Sequence, residues 1–222
     1  EMCIRDRNKF LSQALDSFKS PYIAIIGGAK VSSKLELIKH INSVADHIIV
    51  GGGIANTFLK AAGLDVGKSL VEDSMLDIAK ELIEEGKIVL PRNVTTSKSF
   101  EGKDIKEKSV NEITEEEMIL DLSIEEKTLS LINDAKTILW NGPVGVFEND
   151  FFAEGTRCLS KAISKSEAFS LAGGGETLSA INKYINPDDV SYCSTGGGAF
   201  LEFMEGKTLP SIKALNLKEI RS

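Results

Sequence analysis

Short apolar runs alternate along this chain with stretches whose apolar residues recur at helical spacing. The runs are rich in β-branched residues, which is typical of strands that are covered on both faces. They predict strands at 22–26 (YIAII), 47–50 (HIIV), 87–90 (KIVL), 137–140 (TILW) and 168–172 (AFSLA). The helical spacing predicts helices at 8–19, 31–42, 55–62, 71–85, 123–135 and 151–164, with another after Gly198.

Single residues mark several of these boundaries. Pro21 ends the first predicted helix, Pro91 stops the strand at 87–90, and Ser123 is the predicted cap of the helix that follows it. Residues 92–117 are polar and without a clear period, so we predict short strands and loops there, and then a strand at 118–122 (MILDL). The first seven residues, EMCIRDR, fit no such pattern, and we interpret 1–7 as a non-native leader.

Strand, glycine-rich turn and helix recur in this order five or six times. The order is typical of an α/β fold in which helices wrap a parallel sheet, and such sheets bind ligands beyond the carboxyl ends of their strands. Glycines gather where the predicted strands end, at 27–28, 51–53, 142 and 145, 173–175 and 196–198. One cluster can simply make a tight turn, but five at one edge predict a rim where phosphate groups reach the N–H groups of helix N-termini.

Composition and charge narrow the class of protein. Hydrophobic residues are 42% and charged residues 27%, as in an ordinary globular protein, and the formal net charge of −7 argues against nucleic acid and anionic membranes as partners. No apolar run approaches the roughly 20 residues that span a bilayer. Cys3, Cys158 and Cys193 form neither a disulfide framework nor a zinc spacing. Without an apolar signal peptide, the cytoplasm is the expected compartment.

Two common nucleotide motifs do not fit. GLDVGKS (63–69) has three residues between its glycines where a P-loop has four, and it follows a predicted helix rather than a strand, so Lys68 and Ser69 are predicted to be loop residues. The fingerprint G-x-G-x-x-G occurs in none of the glycine clusters. A nicotinamide-dependent oxidoreductase therefore lacks its main sequence support.

Two lysines follow the first predicted strand. GGAKVSSK (27–34) places Lys30 and Lys34 four residues apart, hence on one face if the helix has begun there. A solvated helix start is one interpretation. Because a lysine at a helix N-terminus opposes the helix dipole, a bound anion is the other.

Five strings of the chain resemble motifs of the phosphoglycerate kinase family, in the family's order. They are IIGGAKVSSKLELI, IIVGGGIANTFLKAAG, ILWNGPVGVFE, FSLAGGGETLSAI and STGGGAFLEFMEGKTLP. The resemblance runs from about Asn8 to Leu217, and its details suggest a bacterial member.

The resemblance implies a Rossmann-like three-layer sandwich with a parallel sheet of about six strands flanked by helices. It implies that 21–222 is the C-terminal, nucleotide-binding domain, that 8–20 is part of an interdomain helix, and that the triose-binding domain of the family is absent. The implied activity is reversible phosphoryl transfer from 1,3-bisphosphoglycerate to ADP, which gives 3-phosphoglycerate and ATP in glycolysis, with Mg²⁺ accompanying the nucleotide. A monomer is expected for the full-length protein.

The resemblance also implies roles for individual residues. Lys30 would stabilise charge on the phosphoryl group in flight, together with Gly196, Gly197 and Gly198, and Lys34 would hold nucleotide phosphates. Residues of the adenine pocket would be Gly28, Gly52 and Gly53, with Leu70, Leu120 and Val146 as apolar walls. Asn141 would reach the phosphates, Pro143 would pack near the ribose, and Glu148 would accept hydrogen bonds from the ribose hydroxyls. A helix N-terminus would be presented to the phosphates by Gly173, Gly174, Gly175 and Thr177.

The implied chemistry needs no general base, because the attacking diphosphate is already ionised and the leaving group is a carboxylate. Accordingly, His40 and His47 lie in no glycine cluster, and we predict structural or surface roles for both. Glu176 stands where the family usually has aspartate, and it is the residue expected to contact the nucleotide-bound magnesium. Its extra methylene favours a water-mediated contact. Alternatively, Glu176 is an acid that only complements the helix dipole.

The five arginines of the chain lie outside the glycine clusters, and Arg157 is predicted to be a surface charge. Since the family's triose clamp contains arginines, we expect the chain to be inactive alone and to supply the nucleotide site of a kinase. The alternative is a non-catalytic module that binds Mg-ADP or Mg-ATP. An uncovered helix near Phe10 and Phe18 would expose apolar surface.

Overall fold

A computed structural model describes residues 18–194, 197–205 and 207 of the 222-residue chain. The predicted leader 1–7, most of the predicted interdomain helix and Gly196 lie outside the described residues. Residues 18–20, the described end of that predicted helix, are not helical. This agrees with Pro21, because the residue before a proline disfavours the helical conformation.

The main sheet has six parallel strands. The chain order is β1 (Tyr22–Ile26), β2 (His47–Val50), β3 (Ile88–Val89), β7 (Thr137–Asn141), β8 (Phe169–Gly173) and β9 (Tyr192–Ser194). The spatial order is β3-β2-β1-β7-β8-β9, and every pairing is parallel. The strand order therefore reverses between β1 and β7, which is where doubly wound folds bind ligands.

Helices flank this sheet. They are α1 (Leu35–Val44), α2 (Gly52–Ala61), α3 (Leu76–Glu84), α4 (Glu126–Asp134), α5 (Glu154–Lys165), α6 (Gly175–Tyr184) and α7 (Gly197–Met204). Short 3₁₀ turns precede α1, α3 and α5 at Ser32–Lys34, Asp73–Met75 and Asp150–Phe152. All residues of β1 and β7 are buried, as the unbroken apolar runs predicted for central strands. The predicted Rossmann-like sandwich is thus confirmed.

A second, smaller sheet interrupts the alternation. Its strands are β4 (Asn93–Ser97), β5 (Lys106–Ser109) and β6 (Met118–Leu122), in the antiparallel order β5-β4-β6. The short strands predicted within 92–117 and the strand at 118–122 are present. β6 is buried except at the half-buried Met118, although it lies outside the main sheet, and this burial explains its apolar sequence.

The predicted cap of α4 is wrong. The helix begins at Glu126 with Glu125 at the N-cap, two residues beyond Ser123. Ser123 is used elsewhere, since its hydroxyl donates to Glu107 Oε1 at 2.7 Å and its N–H to Asn93 O at 3.1 Å. Ser123 lies two residues before the N-cap position, and no side chain caps α4.

Candidate functional site

The glycine clusters meet at one edge of the main sheet. Gly27 follows β1, Gly51 follows β2, Gly142 follows β7, and Gly173 ends β8. Since these strands are parallel, their carboxyl ends share an edge, as predicted. At two glycines of this edge, a neighbouring backbone oxygen lies so close that a side chain has no room. A Cβ on Gly27 would lie 1.8 Å from Pro143 O, and one on Gly53 would lie 2.2 Å from Ala29 O.

A cavity of about 370 Å³ opens beside the switch between β1 and β7. Its walls contain nine residues that the sequence assigned to nucleotide binding: Gly28, Gly52, Gly53, Leu70, Leu120, Pro143, Val146, Glu148 and Glu176. The walls also contain residues that were not predicted: Ala29, Asn56, Lys68, Phe100, Met118, Ile119, Asp121, Leu122, Val144 and Gly145. The cavity is largely apolar in its side chains, and it has the size of a small-ligand site.

The small sheet supplies one wall of the cavity. β6 contributes Leu120, which is 5% exposed, and the loop after β4 contributes Phe100, which is 57% exposed. Asn149 Nδ2 holds that loop by donating to Phe100 O at 2.7 Å. Leu70, 54% exposed, also borders the cavity. Flat apolar walls of this kind suit a planar aromatic base.

Lys34 lies at the rim but not in the cavity wall. Its ammonium group donates to Gly27 O at 2.5 Å and to Asn141 O at 3.1 Å, so it joins the carboxyl ends of β1 and β7. Burial lowers the pKa of Lys34 to about 8, an effect that the charge of Glu176 partly offsets. An ammonium group has three N–H donors, so one remains for a phosphate oxygen.

Asn141 and Thr177 brace the start of α6. Asn141 Nδ2 donates to Gly173 O at 2.7 Å. Thr177 Oγ1 accepts from Gly142 N at 2.8 Å and donates to Gly173 O at 2.8 Å. Both side chains are buried and neither borders the cavity. They fix the turn that aims the N-terminus of α6 at the rim.

The first turn of α6 carries an exposed acid and no side-chain cap. Gly174 is the N-cap, with a φ of 98°, and no side chain accepts from the N–H groups that follow it. Glu176 lies in this first turn, is exposed, and borders the cavity. The uncapped N–H groups and the dipole favour an anion here.

Lys30 lies outside the cavity wall, in the loop between β1 and the 3₁₀ turn that precedes α1. The sequence placed Lys30 and Lys34 on one face only if the helix had already begun between them. Because α1 begins at Leu35, the two lysines do not share a helical face. Glu72 fastens the loop, since its carboxylate accepts from Ser32 N at 2.9 Å and from the Ser32 hydroxyl. These hydrogen bonds, and to a lesser extent the charge of Lys30, lower the pKa of Glu72.

The last cluster is only partly described. Gly196 lies outside the described residues, whereas Gly197 and Gly198 begin α7 directly after β9. A Cβ on Gly198 would have no neighbour within 4 Å. The backbone at Gly198 is therefore open to a ligand, but the structure does not bring it into the cavity wall.

The residue set suits a magnesium ion that arrives with phosphate rather than a protein-held metal. Among the described residues no group of three or more histidine, cysteine, aspartate or glutamate side chains could hold an ion. Mg²⁺ typically takes one or two carboxylates and completes its shell with water and phosphate oxygens. Glu176 offers one exposed carboxylate at the uncapped helix end, which fits this mode.

Other predictions also have outcomes in the structure. Residues 63–69 form a loop after α2, as predicted for Lys68 and Ser69, and Lys68 pairs with Glu116 at 2.7 Å. Arg157 is a surface residue that pairs with Glu154, as predicted. Within the described part of the chain, no helix has the length and apolarity needed to cross a bilayer.

Asp121 is a buried carboxyl in the wall of the cavity, and no motif of the sequence marks it. Its side chain accepts from Gly155 N at 2.7 Å and from Leu122 N at 2.9 Å. Burial raises the pKa of Asp121 to about 7, although these N–H groups act in the opposite direction. The carboxyl joins β6, one wall of the cavity, to the first turn of α5.

Asp121 makes the stability of the protein depend on pH. Its usual pKa is 3.8, so between pH 4 and pH 7 the folded protein binds more protons than the unfolded chain. The free energy of unfolding therefore falls as pH rises through this window. Asp121→Asn keeps an acceptor for Gly155 but cannot ionise, so we expect it to remove a pH-dependent loss on the order of a few kcal/mol.

Denaturant unfolding from pH 4.5 to 8, followed by the fluorescence of the single tryptophan Trp140, measures this loss. Asp77→Asn, at an exposed position on α3, is the matched control and should keep the slope of the unmodified protein. Parallel pH curves for Asp121→Asn and the unmodified protein would contradict the assignment.

The sequence of this chain is similar to those of known proteins. The family model described as phosphoglycerate kinase matches residues 2–207. A phosphoglycerate kinase of Psychrobacter sp. (strain PRwf-1) is 50% identical over 218 residues, which are 92% of this chain and 54% of that protein. One of Francisella tularensis subsp. tularensis (strain WY96-3418) is 50% identical over 219 residues, 95% of this chain and 56% of that protein.

Solved structures give the same result. The structure of phosphoglycerate kinase from Coxiella burnetii superposes with a TM-score of 0.92 at 42% identity, over 97% of this chain and 57% of that one. The enzyme from Pyrococcus horikoshii OT3 superposes with a TM-score of 0.83 at 31% identity, over 99% of this chain and 57% of that one. The chain spans about half the length of the curated relatives it matches.

Proposed function

The chain belongs to the phosphoglycerate kinase family, and we propose that it supplies the Mg-ADP/ATP site for reversible phosphoryl transfer from 1,3-bisphosphoglycerate to ADP. The observation that carries this proposal is the apolar cavity at the switch between β1 and β7, with the uncapped N-terminus of α6 at its rim. The relatives cited above are named phosphoglycerate kinases.

The base of the nucleotide lies in the cavity. Gly52 and Gly53 let it approach the start of α2, while Leu70 and Leu120 cover its faces. Pro143 and Glu148 border the same cavity from the loop after β7, so they reach the ribose. A carboxylate such as that of Glu148 accepts hydrogen bonds from both ribose hydroxyls.

The phosphates lie along the rim towards α6. Lys34 contributes its remaining N–H donor, and the first turn of α6 contributes backbone N–H groups through Gly175. Glu176 would hold the magnesium ion that accompanies the nucleotide, through water or directly. The ion would supply positive charge that offsets the charge of the phosphates.

Transfer needs alignment and charge stabilisation rather than proton transfer. Lys30 lies in the loop that Glu72 fastens, and we assign it to the phosphoryl group as that group moves. The backbone of Gly197 and Gly198 at the start of α7 supplies further N–H donors. His40 and His47 are half-buried residues of α1 and β2 and take no part.

The triose is held outside this chain. Arg92 and Arg157, the arginines among the described residues, are exposed, and neither borders the cavity. The described surface thus offers no arginine cluster for a second phosphorylated substrate.

Turnover is tested with the chain alone and with a hybrid kinase, in which the chain is joined to the part of the Psychrobacter relative that it does not cover. We expect turnover by the hybrid kinase and no turnover by the chain alone. Mg-ADP binding without turnover in either would favour a non-catalytic nucleotide module.

Calorimetric titration with ADP, with and without magnesium, tests the nucleotide site and the role of Glu176. We expect Glu176→Gln to weaken Mg-ADP binding by about 3- to 10-fold and to leave magnesium-free ADP almost unchanged, because the amide no longer attracts the cation. Glu167→Gln, exposed and at the opposite end of β8, is the control. An equal loss with and without magnesium would remove Glu176 from the metal role.

A further inference from the structure

Asn56 is a buried polar residue in the wall of the cavity, and the proposed function gives it no role. It lies on α2, three residues after Gly53, and both residues border the cavity. Residues at this spacing share one face of a helix. The side chain of Asn56 is 3% exposed, so its polar atoms need partners.

One end of the Asn56 amide has a partner that sets its orientation. Nδ2 donates to Leu70 O at 3.2 Å. If the amide were turned over, Oδ1 would face the same carbonyl, and two acceptors would oppose each other. Oδ1 must therefore occupy the end of the amide away from Leu70 O.

The other end of the amide lacks a partner. No donor among the described residues hydrogen-bonds to Oδ1, although the atom is buried. Leaving a buried carbonyl oxygen unpaired costs free energy, and most such atoms in folded proteins are paired. Asn56 borders the cavity, so a group that enters the cavity can bring the donor that Oδ1 lacks.

The neighbouring polar groups of the cavity wall are already used or are charged. Asp121 accepts from Gly155 and Leu122, and Lys68 pairs with Glu116. Glu148 and Glu176 are carboxylates of the rim. Asn56 thus differs from these groups as a neutral acceptor that still lacks its donor.

We infer that Asn56 selects nucleotides whose purine carries an amino group at the 6-position. This inference rests on the proposed nucleotide function. A 6-amino group is an N–H donor for Oδ1, whereas the 6-oxo group of hypoxanthine or guanine is an acceptor that would face a second acceptor. A site built to pair with a substrate N–H rejects an analogue without it, because its own polar atom stays unpaired.

Three nucleotides measured on the unmodified chain test this directly. ADP, inosine diphosphate and purine riboside diphosphate share the ribose and the diphosphate, and they differ at the 6-position. In calorimetric titration, ADP should bind about tenfold more tightly than inosine diphosphate, or by a larger factor. Purine riboside diphosphate, which has only hydrogen at the 6-position, should bind with an intermediate affinity.

A matched pair of variants separates recognition from structure. Asn56→Leu removes the acceptor at similar volume, and we expect the ratio of the two dissociation constants to fall below about threefold. Asn42→Leu is the control, since Asn42 is also buried, donates to Glu85 and has an unpartnered Oδ1, but does not border the cavity. Its ratio should stay at the value of the unmodified chain.

The outcomes distinguish this inference from the proposed function. Equal affinity of the unmodified chain for ADP and inosine diphosphate overturns the role of Asn56 and leaves the nucleotide site standing. Equal weakening of both nucleotides by Asn56→Leu also overturns it, because the residue then only holds Leu70 in place. If neither nucleotide binds, the proposed function fails as well. Should Asn56→Leu not fold, the three-nucleotide series decides alone.

Discussion

Lys30→Ala in the hybrid kinase is expected to lower kcat by about 10²- to 10³-fold while the dissociation constant of Mg-ADP changes by no more than about threefold. Lys30 is exposed and borders no part of the cavity, and we assign it no contact with the nucleotide before transfer. Its loop starts at the carboxyl end of β1, at the rim that we propose for the phosphates. A charge that meets the phosphoryl group only during transfer contributes to kcat and not to ground-state binding.

Steady-state kinetics of the hybrid kinase and calorimetric titration of Mg-ADP measure the two quantities separately. Lys39→Ala is the matched control, because Lys39 is an exposed lysine on α1, away from the rim. Its kcat should stay close to that of the unmodified hybrid kinase. A loss for Lys30→Ala that appears only in nucleotide affinity would place the residue with the bound phosphates instead of the moving one.

Much of the main sheet could be predicted because a central parallel strand is recognisable from its own residues. YIAII and TILW are apolar without alternation, and both are fully buried in the sheet. The edge strand β3 was less clear, since only Ile88–Val89 pair within the predicted run 87–90. Edge strands make fewer contacts, so their ends depend on their surroundings more than on their sequence.

The small antiparallel sheet could not be derived from the pattern of apolar residues. β5 is an edge strand whose Lys106 and Glu107 are exposed, so it lacks the apolar run that marks a buried strand. β6 has such a run but pairs with β4, and its sequence does not say which strand is its partner. Assignment of a strand to a sheet is a long-range property.

The site shows the same division between local and long-range information. Glycines that end strands mark the rim from the sequence, because the turn and the strand are neighbours in the chain. Phe100 is held beside the cavity by Asn149, which lies 49 residues further along the chain. Asn56 is oriented by Leu70, which lies outside its helix. Asp121 meets Gly155, 34 residues away. A polar residue inside an apolar helix such as IANTF was the one available signal for Asn56.

Gly27→Ala is expected to destabilise the protein by about 3 kcal/mol or more, or to prevent folding, and to abolish Mg-ADP binding. Its Cβ would lie 1.8 Å from Pro143 O and 2.7 Å from the Pro143 carbonyl carbon, which are backbone atoms. The backbone there cannot move freely, since Gly27 N donates to Asn141 O at 2.9 Å and Gly27 O accepts from Lys34 at 2.5 Å. The added methyl group must therefore force β1 and β7 apart at their carboxyl ends. Thermal and denaturant unfolding measure the loss.

Gly175→Ala separates the two reasons for a glycine at this rim. A Cβ there would meet nothing within 4 Å, and alanine is favoured over glycine in a helix by about 0.5–1 kcal/mol, so we expect α6 to be as stable or more stable. If phosphates approach the backbone of α6 as proposed, the same methyl group should weaken Mg-ADP binding by about tenfold. Gly27 is thus a glycine because protein backbone fills the space, whereas the proposed site makes Gly175 a glycine because a ligand would fill it. Unchanged affinity in a stable Gly175→Ala protein would place the phosphates elsewhere on the rim.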